Sequence, residues 1–297
     1  MSISSTRAGP EMEVTPILSL GMTLGEGPVW ADDALWFVDI KAHKVYRYVP
    51  RSGRIEQWIA PDQIGWVLPS LRGDMIAGVR TGLHRFDPKT SVFTPFHDPE
   101  AHLPSNRLND ATTDAAGRLW FGSMDDREMA PSGHLYRLSE GHCVLAGMPP
   151  VTITNGPALT PDARTLYHTD TLGKLIWKVA VDEDGRLGRA EPFIRIEEGA
   201  GWPDGSVVDA EGCLWIALFG GWGVRRYDPD GRLMQMVRFP VANVTKIAFG
   251  GEDLRTAYAT TAHKGLDARA RDEQPLAGHV FTFDPQVAGV PVVPANS

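Results

Sequence analysis

Residues 26–39, EGPVWADDALWFVD, read as a β-strand, a tight turn and a second strand with Leu-Trp at its centre. The same pattern returns in NDATTDAAGRLWFGS (109–123), NGPALTPDARTLYHTD (155–170) and DGSVVDAEGCLWIAL (204–218), with Leu-Tyr in place of Leu-Trp in the second of these. The turns at 114–117 and 209–212 contain Asp and Gly, which supply the local hydrogen bonds and positive φ angles that tight hairpins need. Each stretch therefore predicts a β-hairpin rather than a helix.

A polar or small residue opens six such stretches, at intervals of 39, 44, 46, 49 and 41 residues: Glu26, Gly65, Asn109, Asn155, Asp204 and Thr245. We call these six residues the openers. A period of about 45 residues is typical of propeller blades, and six repeats use most of the chain of 297 residues. We predict an all-β, six-bladed β-propeller with four-stranded blades. It forms one domain over residues 13–297, after a flexible N-terminal tail at residues 1–12.

The ends of the chain are expected to close the ring. The sixth repeat has no evident outer strand after Phe283, so we expect residues 14–20 to supply it and leave no open sheet edge. No segment of 12 or more residues shows a persuasive apolar period of 3.6, and we therefore expect almost no helix.

Composition narrows the class of partner and compartment. The formal net charge is −8 and the basic residues are dispersed, which disfavours nucleic acid because neutralising phosphates requires a basic face. The two cysteines, Cys143 and Cys213, fall in different repeats, which favours a reducing compartment over a disulfide framework. No leader-like or membrane-spanning apolar run is evident. We expect a cytoplasmic protein with no membrane partner, either monomeric or weakly self-associating.

The openers suggest a metal site. The common signatures of serine hydrolases, zincins, P-loop NTPases and structural zinc sites are absent from the sequence. In a propeller, one repeat position lies at one height around the channel, so Glu26, Asn155 and Asp204 would offer two carboxylates and an amide oxygen to one point. Such oxygen donors suit calcium, magnesium or manganese, and three protein ligands leave coordination positions open. The simpler alternative is that these residues form turns or line a solvated channel wall.

A second group of polar residues lies in the third repeat. Arg107 and Asn109 share a face of their strand, because residues i and i+2 do so, and would suit a polyhydroxylated or anionic ligand. Asp125 and Asp126 end the same hairpin and could reach the same mouth. The alternatives are that Arg107 lies on the surface, that Asn109 caps a turn and that the two aspartates form a solvated turn.

These motifs together resemble the SMP-30/gluconolactonase/luciferin-regenerating family, whose members include sugar lactonases and regucalcin. The resemblance rests on five stretches in the family's order: LGEGPVW (24–30), NRLNDATTDAAGRLWFGSMD (106–125), TNGPALTPDARTLYHTDT (154–171), PDGSVVDAEGCLWIALFGG (203–221) and VTKIAFGGEDLRTAYATT (244–261).

The resemblance implies one divalent ion, which could be calcium, zinc, magnesium, manganese or iron, held by Glu26, Asn155 and Asp204. It also implies that Asp204 is the catalytic base and that Arg107 and Asn109 contact the substrate, with Asp126 as a further candidate. Where some animal members have a substrate-binding Glu, ungapped alignment places Arg127, so the choice of sugar does not carry over.

The resulting hypothesis is metal-dependent hydrolysis of a sugar lactone to the aldonic acid. The cation would stabilise charge on the lactone carbonyl oxygen and Asp204 would act as general base. Three alternatives stay open: a regulatory propeller that binds a cation without catalysis, an esterase or phosphotriesterase that uses the same pocket, and a protein-binding scaffold.

Overall fold

The computed structural model describes residues 12–296, which form six four-stranded antiparallel sheets around a central channel. The first strand, β1 (Thr15–Leu18), belongs to the last blade. In blades 1 to 5 the four strands follow one another in chain order from the channel outward. Blade 1 contains β2 (Gly25–Ala31), β3 (Ala34–Asp39), β4 (Lys44–Val49) and β5 (Arg54–Ile59). Blade 2 contains β6 (Ile64–Pro69), β7 (Met75–Val79), β8 (Gly82–Asp87) and β9 (Val92–His97). Blade 3 contains β10 (Asn106–Thr113), β11 (Leu119–Asp125), β12 (Leu135–Ser139) and β13 (His142–Leu145).

The remaining blades follow the same order. Blade 4 contains β14 (Thr154–Leu159), β15 (Thr165–Asp170), β16 (Leu175–Val181) and β17 (Leu187–Arg195). Blade 5 contains β18 (Trp202–Val208), β19 (Leu214–Phe219), β20 (Gly223–Tyr227) and β21 (Leu233–Arg238). Blade 6 contains β22 (Val244–Gly250), β23 (Thr256–Thr261), β24 (Val280–Phe283) and, at its outer edge, β1. The predicted six-bladed β-propeller is confirmed.

Burial changes from the channel to the rim of each blade. Every residue of β3 is buried, because its sheet is packed between neighbouring sheets on both faces, whereas β5 at the outer edge is mostly exposed. The innermost strands of successive blades contact one another around the ring, including β22 with β2. The channel wall is therefore one continuous layer of six strands.

The predicted hairpin turns are confirmed in atomic detail. Asp114 Oδ1 accepts the backbone N–H groups of Ala116 and Arg118 at 2.9 and 3.0 Å, and Gly117 has a φ of 77°. The same carboxylate accepts the indole N–H of Trp120 at 2.9 Å. One acidic side chain thus forms the turn and also satisfies the polar atom of the buried tryptophan.

Blade 5 repeats this arrangement. Asp209 accepts the N–H groups of Glu211 and Cys213, and its other oxygen accepts the indole N–H of Trp215 at 2.8 Å. In blades 3 and 5 the Leu-Trp motif therefore marks the second strand together with the aspartate six residues before the tryptophan.

The predicted closure of the ring is confirmed. Strand β1 pairs antiparallel with β24, with Thr15 opposite Thr282, and covers the edge that blade 6 would otherwise expose. The strand is shorter than the predicted 14–20. Of the predicted tail, residues 1–11 lie outside the described residues.

Helix is scarce, as predicted. Within residues 12–296 one helix occurs, α1 (Ala268–Glu273), in the loop between β23 and β24. Asp267 caps it by accepting the N–H of Ala270 at 2.8 Å.

Residues 288–296, here called the C-terminal strap, cross the end of the channel at which the innermost strands finish. The strap bonds to blade 5 through Ala210 N–H to Ala288 O, to blade 6 through Gly289 N–H to Leu254 O, and to blade 2 through Ala295 N–H to Pro69 O. Thr113 Oγ1 of blade 3 donates to Val293 O at 2.6 Å. The strap therefore closes this end, which we call the lower end, and ties four blades together.

Candidate metal and substrate site

Each innermost strand departs from regular pairing at its opener. The register shifts between Glu26 and Val29 in β2, between Asn155 and Ala158 in β14 and between Pro203 and Ser206 in β18, and equivalent shifts occur in the other three blades. A bulge bends the strand locally and redirects its side chains. The repeated bulge places the openers at one level near the upper end of the channel.

Four openers line a single cavity of about 290 Å³ at this end: Glu26, Asn109, Asn155 and Asp204. Each of the four is at most 7% exposed. The three residues predicted as metal ligands are thus brought together at the polar base of one cavity, although they come from blades 1, 4 and 5.

The other two openers do not line this cavity, for reasons visible in their contacts. A Cβ atom on Gly65 would collide with the backbone oxygen of Asn109, so no side chain fits at that position of blade 2. Thr245 donates its hydroxyl to Gly25 O at 2.6 Å and thereby joins blade 6 to blade 1. These two openers serve packing between neighbouring innermost strands.

The base of the cavity concentrates negative charge. Burial, followed by the charge of Asp110, raises the pKa of Glu26 to about 8. Burial and the charges of Glu26 and Asp110 raise the pKa of Asp204 well above its usual value. Each carboxylate is thus costly to ionise beside the others unless a cation compensates them.

A chain of hydrogen bonds fixes the amides. Asn155 Nδ2 donates to Thr171 Oγ1 at 2.9 Å, and Asn155 Oδ1 accepts from Asn109 Nδ2 at 3.0 Å. Asn109 Oδ1 in turn accepts from Arg107 Nη1 at 2.7 Å, and Arg107 Nε donates to Asp126 Oδ1 at 2.9 Å. The amide nitrogens of Asn155 and Asn109 thus act as donors, and the Asn155 oxygen uses one lone pair to accept from Asn109, which leaves its second lone pair for a cation.

Asp126 lies beside the cavity and is not among the residues that line it. Its carboxylate accepts from Lys41, Gln63 and Arg107, and also faces Arg80 at 3.4 Å. Burial alone would raise the pKa of Asp126, but the hydrogen bonds from Lys41 and Gln63 and the charge of Arg107 lower it. The net shift is downward. The position of Asp126 is that of a group that orients Arg107.

Asp125, the other candidate of this hairpin, is buried rather than solvated. Its carboxylate accepts the backbone N–H groups of Arg127, Met129 and Ala130 at 2.9 to 3.3 Å. It therefore holds the loop that follows β11, and from this loop Glu128, rather than Arg127, reaches the cavity.

Sequence reasoning missed two pairs of charged residues. Asp110, next to the opener Asn109, forms a buried ion pair across the channel with Lys246, next to the opener Thr245. Glu128 pairs with Lys264 at the mouth of the cavity. The sequence signal for the first pair was that each of its residues directly follows an opener. The second joins two loops, and no spacing in the sequence relates them.

The donor chemistry at the base of the cavity fits a hard divalent cation. Among residues 12–296 no group of three His, Cys, Asp or Glu side chains could hold a metal ion. The candidate set instead combines two carboxylates with one amide oxygen. Glu26, Asp204 and Asp110 carry three formal negative charges when ionised, and Lys246 offsets one of them, so the remaining charge matches a dication.

A six-bladed propeller with buried carboxylates and amides at one end of its channel defines the class of protein. The SMP-30/Gluconolactonase/LRE-like family model matches residues 24–263, and the chain belongs to that family. It is 32% identical to a 6-deoxy-6-sulfogluconolactonase of Pseudomonas putida, over 90% of this chain and 92% of that protein. It is 33% identical to an L-arabinolactonase of Azospirillum brasilense, over 95% of each chain.

A solved structure supports the same family. The chain superposes on a calcium-binding protein, regucalcin, of Agrobacterium tumefaciens with a TM-score of 0.92 and 29% identity, over 97% of this chain and 98% of that one. Within the described part of the chain, no helix has the length and hydropathy needed to cross a membrane.

Proposed function

We propose that the protein is a lactonase that hydrolyses a sugar lactone to the aldonic acid, with one divalent cation held by Glu26, Asn155 and Asp204. The observation that carries the proposal is the pair of buried carboxylates beside an oriented amide oxygen, at the base of a cavity open to solvent. The lactonases among its relatives support the reaction class.

The bound cation would supply electrostatic stabilisation of the negative charge that develops on the lactone carbonyl oxygen. The all-oxygen donor set favours calcium, magnesium or manganese. Zinc and iron are the weaker candidates, because proteins more often bind them through nitrogen or sulfur.

The chain's own residues account for the remaining steps. Asp204 accepts a proton from the attacking water as its oxygen bonds to the carbonyl carbon, a general-base role typically worth about 10²–10⁴-fold. The ester C–O bond of the ring then breaks, and the released alkoxide takes that proton to give the hydroxy acid. Arg107 donates to a lactone oxygen, and Asn109 Oδ1 accepts from a substrate hydroxyl, because Asn109 Nδ2 already donates to Thr154 O and Asn155 Oδ1. No covalent nucleophile is needed.

A second candidate function is a propeller that binds a cation without catalysis. It is favoured by the similarity to the regucalcin described as a calcium-binding protein. The position of Arg107 beside the carboxylates favours the lactonase, since a purely structural ion needs no adjacent group to hold a substrate. Esters and phosphotriesters are the third class to be assayed, because the same charge stabilisation would act on a C=O or P=O oxygen.

The test is a panel of aldonolactones, carboxylic esters and phosphotriesters, assayed with each of several divalent metals after treatment with a chelator. Lactone hydrolysis is expected to disappear in chelator and to return with metal. Asp204→Asn is expected to lose about 10²–10⁴-fold in kcat. Metal-dependent stabilisation of the fold without any hydrolysis would select the second candidate, and full turnover by Asp204→Asn would refute the assigned base.

A further inference from the structure

The wall above the base of the cavity is apolar. Six side chains from blades 1, 3, 4 and 5 form it: Leu24, Met124, Ile153, Leu172, Trp202 and Phe219. Glu128 and Lys264 line the mouth of the cavity, and the other polar groups lie at its base, in the site described above. A sugar lactone bound with its carbonyl at the base would therefore place its far substituent among hydrocarbon and aromatic groups.

Trp202 is held in place although it is 44% exposed. Lys174 Nζ lies over its ring, 5.4 Å from the centroid. Gly220 lies beside the indole, where a Cβ would be 3.4 Å from the ring, an ordinary van der Waals distance. A large ring fixed by its neighbours loses little side-chain entropy when a ligand packs on it, so Trp202 is suited to bind an apolar group.

The cations near this wall already have partners. The Lys264 ammonium pairs with Glu128, and Arg107 is bonded to Asp126 and Asn109. Glu128 lies in blade 3 and Lys264 in blade 6, on opposite sides of the ring, so their ion pair spans the mouth. An anionic substituent entering here would have to displace a carboxylate from one of these cations.

We propose that the substrate is an uncharged lactone whose ring carries a deoxy, methyl-bearing side chain, and that Trp202 selects it over the fully hydroxylated analogue. This inference rests on the proposed function. A hydroxymethyl group packed against these six side chains would lose hydrogen bonds to water and gain none from them. A methyl group has no such hydrogen bonds to lose. Trp202 acts as a specificity determinant, distant from the carbonyl that reacts.

The experiment compares lactones that differ only by CH₃ against CH₂OH. Suitable pairs are L-rhamnono- with L-mannono-1,4-lactone, L-fucono- with L-galactono-1,4-lactone, and 6-deoxy-D-glucono- with D-glucono-1,5-lactone. The metal-loaded full chain is expected to hydrolyse the methyl member of its best pair with a kcat/KM about 10-fold higher or more, within the range that a pocket achieves against an added hydroxyl.

Trp222 provides a matched control variant. It lies in the turn between β19 and β20 of the same blade and is 42% exposed, but it does not line the cavity. Trp202→Ala is expected to raise KM for the methyl lactone about 10-fold, to change kcat little and to reduce the preference for methyl to below about 3-fold. Trp222→Ala is expected to keep both constants within about 2-fold.

The outcomes separate this inference from the proposed function. Lactone hydrolysis with equal or greater kcat/KM for the hydroxymethyl members would overturn the inference and leave the lactonase standing. So would identical behaviour of Trp202→Ala and Trp222→Ala. If no lactone of any pair or of the wider panel is hydrolysed, both proposals fail.

Discussion

The two ends of the channel are built from the same six strands and differ in almost everything else. The upper end holds the cavity of about 290 Å³ with Glu26, Asn155 and Asp204 at its base. The lower end holds a smaller space of about 100 Å³, lined largely by backbone and apolar side chains and covered by Val290, Pro291 and Val292 of the strap. Both ends share the propeller architecture. The comparison teaches that the bulge at each opener is what brings the reactive side chains together at the upper end.

Neutralising one carboxylate is expected to have the largest effect at the upper end. Glu26→Gln keeps the shape of the side chain but removes a charge that a dication requires, so kcat/KM for lactones is expected to fall about 10³-fold, together with metal affinity. Titration calorimetry and initial rates measure the two losses. The control, Val290→Ala at the lower end, is expected to leave both unchanged. A variant at Glu26 that binds metal normally would show that the upper end is not the ion site.

Removing residues 288–297 tests the lower end. The variant loses the hydrogen bonds of the strap to four blades and the burial of its apolar residues. We therefore expect the free energy of unfolding to drop by about 3 kcal/mol, measured by denaturant titration of the metal-free proteins. Assayed at low temperature, the folded fraction is expected to retain wild-type kcat. A truncated protein that is equally stable but inactive would reverse the roles assigned to the two ends.

Metal affinity is expected to depend on pH through the raised pKa of Glu26. Without metal, burial and Asp110 raise this pKa from 4.5 to about 8, so below pH 8 a cation must displace a proton. Affinity is expected to fall by at least about 10-fold per pH unit from pH 8 to pH 6, and more steeply where Asp204, whose pKa is also raised, must lose a proton as well. Calorimetry in buffers of different ionisation enthalpy counts the released protons, and an affinity that is flat over this range would contradict the assignment.

The same shift has a consequence for stability with a defined sign. The folded carboxyl holds its proton more tightly than the unfolded one. The metal-free fold is therefore expected to lose stability as pH rises from about 4.5 to about 8. Saturating metal is expected to remove this loss, because the cation stabilises the ionised form.

The smallest effect is expected from Asp126, beside the upper cavity. Asp126→Asn leaves Arg107 with a weaker partner, so the guanidinium is less firmly oriented toward the substrate. A rise in KM of about 3-fold to 10-fold with little change in kcat is expected from steady-state kinetics. A kcat loss as large as that of Asp204→Asn would instead place Asp126 in contact with the reacting atoms.

Sequence patterns predicted the fold well because each blade carries its own local signals. The Asp–Gly turns and the Leu-Trp strands are contained within single repeats, and the spacing of the openers counts the repeats. The missing edge strand of blade 6 followed from counting strands, since a closed ring needs a fourth strand there. In a fold built from repeated hairpins, nearly all strand pairs join strands that are consecutive in the chain, so few pairings depend on distant residues.

The site was less accessible to sequence reasoning. Strand alternation correctly paired Arg107 with Asn109, whose side chains are 2.7 Å apart. Strand alternation gave no role to Asp110 or Lys246, because neighbouring residues of a regular strand face opposite sides of the sheet. The bulge in each strand and the curvature of the ring bring these two residues together. The apolar wall gathers single residues from several blades, so no repeat reveals it.

The pairing of β1 with β24 also constrains how the protein is made. Thr15 emerges early in translation, but its partner Thr282 is added about 270 residues later. Until β24 is made, β1 has no strand to pair with and the ring cannot close. Apolar faces of the sheets then stay uncovered. Nascent chains are therefore candidates for chaperone binding, and ribosome stalling before residue 280 would yield a product prone to aggregation.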